Sequence, residues 1–283
     1  MARRVGTAQF GSRLATLAST LTLIGACTTS QVDAGAAPVD LELILAVDVS
    51  DSVSRRELLV QRRGYVAALR SPEVAAVIVS GGAVALAYIE WAGPRSQKIV
   101  IPWTVLADGK DAAGFADRLA AAPLRPDFTA PPWERGTSIS EALVFAAGMF
   151  TSRHGIRRII DVSGNGPQNI GGDLFAARAM VVAKGITING LPLDLRRPSE
   201  GPPLGSYYGE SVIGGSGAFA ISVDDPSLFE ASIRRKLALE IAGPPPRPTH
   251  AGYRPTPGAA TAWGPAVLTP ASARPFERRA PRP

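Results

Sequence analysis

The stretch LELILAVDVSDSVS, residues 41–54, decides the fold. From Leu41 to Val47 it is apolar apart from Glu42, and the run stops at Asp48. A short, near-continuous apolar run reads as a strand buried on both faces, as inside a parallel sheet. After the carboxylate come Ser50 and Ser52, at alternate positions. Alternate residues of an extended segment point to one side, so Asp48, Ser50 and Ser52 converge while Val49 and Asp51 point elsewhere. One carboxylate and two hydroxyls are hard oxygen donors, suited to Mg²⁺, Mn²⁺ or Ca²⁺ rather than to a thiophilic metal. The competing reading is a Ser/Asp-rich loop that caps the following helix, a task Ser54 could perform alone.

Working outward, strand-like and helix-like runs alternate from Val39 to Ala242. Arg55–Leu69 places Leu58, Leu59, Tyr65, Val66 and Leu69 at helical spacing, with Ser54 as N-cap and Glu57 completing a capping box. Val84–Trp91 and Lys98–Trp103 flank a Gly93-Pro94 turn and predict a hairpin. Further helices are predicted over Asp111–Ala121, Ser138–Phe150, Leu174–Ala183 and Pro226–Ile241, the last with Asp225 as N-cap and Gly243 beyond its end. Strands are predicted over Arg158–Val162, Ile186–Leu191 and Gly217–Val223. The pattern implies an α/β fold: a doubly wound, mostly parallel central sheet with helices on both faces and one antiparallel edge strand. Such sheets bind ligands beyond the carboxyl ends of their strands.

The net charge of +6 over 283 residues suggests an acidic partner until its location is considered. Residues 1–27 carry +3 from Arg3, Arg4 and Arg13, and residues 243–283 carry +5, which leaves −2 on the stretch between. A nucleic-acid-binding domain shows a basic face on the fold itself; the middle of this chain has no such surplus, so no nucleic-acid partner is expected. Residues 1–27 read as a signal peptide: three arginines, a short apolar run from Leu14 to Ile24, then Ile24-Gly25-Ala26-Cys27. That tetrapeptide resembles a bacterial lipobox, which makes Cys27, the one cysteine of the chain, the expected site of lipidation. Cleavage after Ala34-Gly35-Ala36 is the alternative and would release a soluble periplasmic protein. Both place the chain in the periplasm or at the envelope of a bacterium, with membrane contact only through the anchor. Residues 28–38 read as a spacer. Residues 243–283 hold eleven of the 25 prolines and few large apolar side chains, the composition of a disordered tail.

Two later segments add to the Asp48 cluster. Gly136-Thr137-Ser138-Ile139-Ser140-Glu141 runs from a loop into a helix, and Ile159-Ile160-Asp161-Val162-Ser163-Gly164-Asn165-Gly166 is a strand ending in a Gly-rich turn. The ordered set resembles the von Willebrand factor type A (vWA) domain and its metal-ion-dependent adhesion site. That family has Asp-x-Ser-x-Ser after its first strand, a Thr before a helix and a later Asp usually followed by Gly. Asp48, Ser50, Ser52 and Thr137 match the first four positions. More narrowly, residues 157–169, 211–219 and 233–241 resemble a bacterial exported subfamily of type A domains, DUF1194. The resemblance covers residues 39–242. It implies a divalent cation, Mg²⁺ with Mn²⁺ or Ca²⁺ as alternatives, on Asp48, Ser50, Ser52, Thr137 and the residue at position 165. Here the sequence departs from the pattern, because Asn165 stands where the family has Asp. A neutral carboxamide offers a carbonyl oxygen but no charge. Asp161, four residues earlier on the same strand face, is the alternative ligand. With one carboxylate against a +2 ion, affinity falls and a bound ion stays electron-poor, favouring a partner's Asp or Glu.

Other residues offer less. His154 and His250 are the two histidines, one in a basic turn and one in the tail. Gly136-Thr137-Ser138-Ile139-Ser140 lacks the final Gly of a nucleophile elbow, and no phosphate-cradling loop is present. Tyr207, Tyr208 and Glu210 read as a surface loop near the sheet edge, with ligand contact as the alternative; Trp91, Trp103 and Trp133 read as core or rim packing. The function expected is a monomeric, non-enzymatic module that binds a protein partner through the cation. The alternatives are a scaffold that has lost the metal and a hydrolase using the metal as Lewis acid.

Overall fold

The computed structural model describes residues 39–124, 131, 134, 136–150, 157–195, 203–243 and 266–268. The expected signal peptide with Cys27, the spacer, His154, Trp133 and all of the tail but residues 243 and 266–268 lie outside the described residues.

The strands are β1 (Leu41–Asp48), β2 (Val84–Trp91), β3 (Gln97–Leu106), β4 (Arg157–Gly164), β5 (Thr187–Pro192), β6 (Phe219–Ile221) and β7 (Ala266–Leu268). The helices are α1 (Arg55–Leu69), α2 (Pro72–Gly81), α3 (Gly109–Ala121), α4 (Ile139–Met149), α5 (Leu174–Ala183), α6 (Leu204–Tyr207) and α7 (Phe229–Ala242). The sheet order is β3-β2-β1-β4-β5-β6-β7. Among the described strands, β2 and β3 pair antiparallel and the other neighbours pair parallel. The doubly wound sheet and its antiparallel edge strand are as the alternation predicts.

Every residue of β1 is buried. Its alternating side chains feed two cores. Leu41, Leu43, Leu45 and Val47 pack with Tyr65, Phe115, Phe229 and Ile233 from α1, α3 and α7. Ile44 and Ala46 pack on the other face with Ile139, Leu143 and Val181 from α4 and α5. Each such Leu or Ile contributes about 1.5–3 kcal/mol by leaving water. The chain runs from β1 to β2 on one side and later to β4 on the other. The carboxyl ends of β1 and β4 therefore form the switch point, where the following loops diverge and leave a crevice.

The structure differs from the sequence reading at several elements. α2 is a helix that amphipathic spacing does not announce, since Val74–Val79 is almost continuously apolar; Ser71 caps it by accepting from Val74 N–H at 3.2 Å, with Pro72 in its first turn. β3 runs on through Pro102 to Leu106; proline is tolerated there because β3 is an edge and the ladder shifts register opposite it. Pro226–Leu228 is a 3₁₀ turn capped by Asp225, and α7 begins at Phe229. Within the expected tail, Ala266–Leu268 pair parallel to β6 and extend the sheet.

Beneath the sheet lies a buried charge cluster. Lys236 of α7 ion-pairs with Asp161 of β4 at 2.6 Å and with Glu240 one turn on. Asn189 of β5 donates to Glu240 Oε1 at 2.8 Å and accepts from Phe219 N–H at 3.1 Å, fastening β6. Two carboxyls share one ammonium, so burial, and then the Asp161 charge, push the Glu240 carboxyl up to about 7, against the pull of Lys236. The folded chain thus keeps a proton that the unfolded chain releases near pH 4.5, and stability from this group falls as pH rises from there to about 7. Glu240→Gln keeps the Oε1 acceptor without the charge. In urea titrations the wild type should lose on the order of 2 kcal/mol more than Glu240→Gln between pH 5 and pH 8; equal losses would contradict this assignment.

Candidate metal centre

Asp48 is the last residue of β1, and Val47 pairs with Ser163, so Asp48 and Gly164 leave the sheet side by side. Asp48 Oδ1 accepts the Ser50 N–H at 2.8 Å, a turn that folds the loop back over the strand end. Ser50 O accepts from Val53 N–H at 2.9 Å. Ser54 then caps α1 in a full capping box with Glu57. Ser50 and Ser52 are thereby left out of helix capping.

Their hydroxyls lie in one row. Thr137 Oγ1 donates to Ser50 Oγ at 3.3 Å, Ser50 Oγ and Ser52 Oγ are 3.0 Å apart, and Ser52 Oγ donates to Asn165 Oδ1 at 3.0 Å. Asn165 Nδ2 donates back to Ser52 O at 3.3 Å. The row grades from buried to open: Asp48, Ser50 and Thr137 are buried, Asn165 half-buried and Ser52 exposed. Five of the residues singled out from sequence, Asp48, Ser50, Ser52, Thr137 and Asn165, thus share one site at the switch point. Asp161 does not. It sits opposite Leu45 in mid-strand and faces α7, where Lys236 holds it, so the reading of Asp161 as an alternative ligand is corrected.

Thr137 is placed by a clasped loop. Its N–H donates to Asn169 Oδ1 at 2.8 Å, its carbonyl accepts from Asn169 N–H at 3.0 Å, and Ser138 N–H donates to Ala92 O at 2.9 Å. Gln168 accepts from Ser140 N–H at 2.7 Å and donates to Gly172 O at 2.6 Å. Glu141 takes hydrogen bonds from the Ser138 and Ser140 hydroxyls and from Gly172 N–H. Partial burial would raise its carboxyl, but these donors outweigh that and hold it below the usual range. Gly171, with φ of 104°, lets the loop lie against Ser138.

One residue that sequence reading left on a surface loop belongs to the floor of this site. Tyr208 is fully buried at the start of a π-turn, Tyr208–Val212. A Cβ on Gly164 would stand 2.7 Å from Tyr208 Oη and 3.1 Å from Asp48 Oδ2. Burial first, then the Asp48 charge, raise the Tyr208 phenol well above its usual value, so it remains a proton donor. The local signal was the Gly after Ser163, which marks close approach of another group. Tyr207 Oη, beside it, accepts from Gln168 N–H at 3.1 Å.

The donor set fits a small hard cation. Oxygens at adjacent corners of a Mg²⁺ octahedron, with bonds of about 2.0–2.1 Å, are about 2.9 Å apart, whereas around Ca²⁺ they are about 3.3 Å or more. The row's spacings of 3.0, 3.0 and 3.3 Å, which are hydrogen-bond distances between the donors themselves, span both values and select neither ion. Among the described residues no group of three His, Cys, Asp or Glu side chains gathers, so hydroxyls make up most of the set.

A parallel sheet with an antiparallel edge, helices on both faces and this loop pair at its switch point define a vWA-like α/β protein. Residues 38–245 match the family described as protein of unknown function DUF1194, and the chain belongs to that family. No curated protein matches it. Among solved structures, the pilus adhesin SpaC from Lactobacillus rhamnosus GG is similar with a TM-score of 0.51 and 12% identity, over 73% of this chain and 31% of that one. An aerotolerance-related membrane protein from Bacteroides fragilis gives 0.45 and 21%, over 70% and 98%. A von Willebrand factor type A protein from Catenulispora acidiphila gives 0.47 and 16%, over 72% and 43%. At these identities the likeness concerns fold alone.

Gly164→Ala should destabilise the chain by about 1–3 kcal/mol in thermal or urea unfolding, through overpacking against Tyr208. Much of that loss should be recovered in Gly164→Ala/Tyr208→Phe; an equal loss in the Tyr208→Phe background would contradict the contact.

Proposed function

We propose that this chain is a cation-dependent protein-binding module rather than an enzyme, working outside the cytoplasm with Cys27 as its lipid anchor. The observation that carries the reading is the row of hard oxygen donors on Thr137, Ser50, Ser52 and Asn165, with Asp48 behind it, gathered at one point of the switch crevice. Asp48 supplies the charge, the three hydroxyls supply neutral oxygens, and Asn165 supplies its carbonyl. An ion there, when bound, is a Lewis acid with excess positive charge.

The site opens at Ser52 and Asn165, on the side away from the buried carboxylate. A partner's Asp or Glu arriving from that side neutralises the ion better than water does, because the site has one carboxylate against two positive charges. Specificity for an acidic residue then follows from the substitution of Asn165 for the family's Asp. Among the described residues no helix is long and apolar enough to cross a membrane.

Pull-down from envelope extract tests it. The full chain should retain a partner with Mg²⁺ and lose it with chelator, Asp48→Ala should fail to retain it in either, and Cys27→Ser should move the protein to the soluble fraction. Retention indifferent to both chelator and Asp48→Ala would show a scaffold that does not use the metal.

A further inference from the structure

We propose that Tyr208 is a positioning residue of the cation site, whose hydroxyl, across the gap left by Gly164, comes to donate to the Asp48 Oδ2 side when the ion binds. The proposal rests on the cation reading above and adds a residue from outside the two ligand loops.

Three observations carry it. The Tyr208 side chain is fully buried, and its hydroxyl has no hydrogen-bond partner among the described residues. A buried phenol of this kind is in need of an acceptor. The hydroxyl also borders the volume that a Cβ would take on Gly164, at 2.7 Å, and Asp48 Oδ2 borders the same volume at 3.1 Å. Both oxygens thus border the one volume that is left without a side chain at position 164. Finally, the backbone that delivers Tyr208 is a π-turn running from Tyr208 to Val212, a rare geometry often found at functional sites.

The consequence concerns orientation. Asp48 Oδ1 is already fixed by the Ser50 N–H at 2.8 Å. A donor reaching the Oδ2 side fixes the rotation of the carboxylate about its own axis, so the one charged ligand is held in a single orientation in the ion-bound site. Neutral Asn165 cannot supply an electrostatic restraint of that kind, which leaves Tyr208 to do so through a hydrogen bond. The phenol stays neutral, so it orients the charge without cancelling it.

Calorimetry with Mn²⁺ on the full chain tests the proposal, comparing wild type, Tyr208→Phe and Tyr88→Phe. Tyr88 is equally buried but lies on β2 against Arg62, remote from the ligand loops. Tyr208→Phe should weaken Mn²⁺ binding several-fold to about tenfold, the loss of one hydrogen bond to a charged group, with an unfolding transition as cooperative as the wild type's. Tyr88→Phe should bind as the wild type does. Mn²⁺ should also produce a tyrosine ultraviolet difference spectrum in the wild type that is absent from Tyr208→Phe. Unchanged affinity in Tyr208→Phe, or persistence of the difference spectrum, overturns the role of Tyr208 and leaves the cation site standing. Should the wild type give no heat, the same pair is compared in the Asn165→Asp background; no heat in either overturns the cation reading and this proposal with it.

Discussion

A carboxylate at the end of a strand buried on both faces is the constraint on which the rest depends. β1 can lie in the middle of the sheet only because its side chains are apolar and both faces are covered by helices. Once the strand ends, Asp48 is fully buried and has to be met by hydrogen bonds and charge. The Ser50 N–H meets its Oδ1, and the hydroxyl row follows from the turn that this bond closes. The same turn gathers three hydroxyl oxygens and a carbonyl in one row.

The second consequence is electrostatic. Two carboxylates at Asp48 and position 165 would repel one another in the absence of a cation. With Asn165, the outer end of the row closes on itself: Ser52 donates to the carboxamide oxygen, and the carboxamide donates back to the Ser52 carbonyl. The loops are therefore held together by neutral hydrogen bonds. Preorganisation of this kind lowers the ordering needed on binding, while the missing charge lowers the attraction for the ion. The two effects oppose each other. An ion that overcomes the second keeps more positive charge for a partner.

Much of this was legible in the sequence, for physical reasons. The apolar run ending at Asp48 fixed the central strand, the alternation of Ser50 and Ser52 fixed their common face, and Ser54 with Glu57 fixed the start of α1. What was not legible depended on contacts far apart in sequence. α2 escaped because an apolar stretch such as Val74–Val79 carries no helical period. Tyr208 escaped because its place depends on the absence of a side chain at Gly164, 44 positions earlier. Asp161 was read by strand alternation alone, which gives a face but not a partner. Lys236, on the closing helix, decides its role instead. Glu240 and Asn189 likewise form a polar cluster that no local pattern announces.

The most direct test of the central claim is anomalous diffraction from crystals grown with Mn²⁺. A single strong peak about 2.1 Å from the Ser50, Ser52 and Thr137 hydroxyl oxygens is the expected result. Full density for those three side chains with no anomalous peak between them, at saturating Mn²⁺, would contradict it.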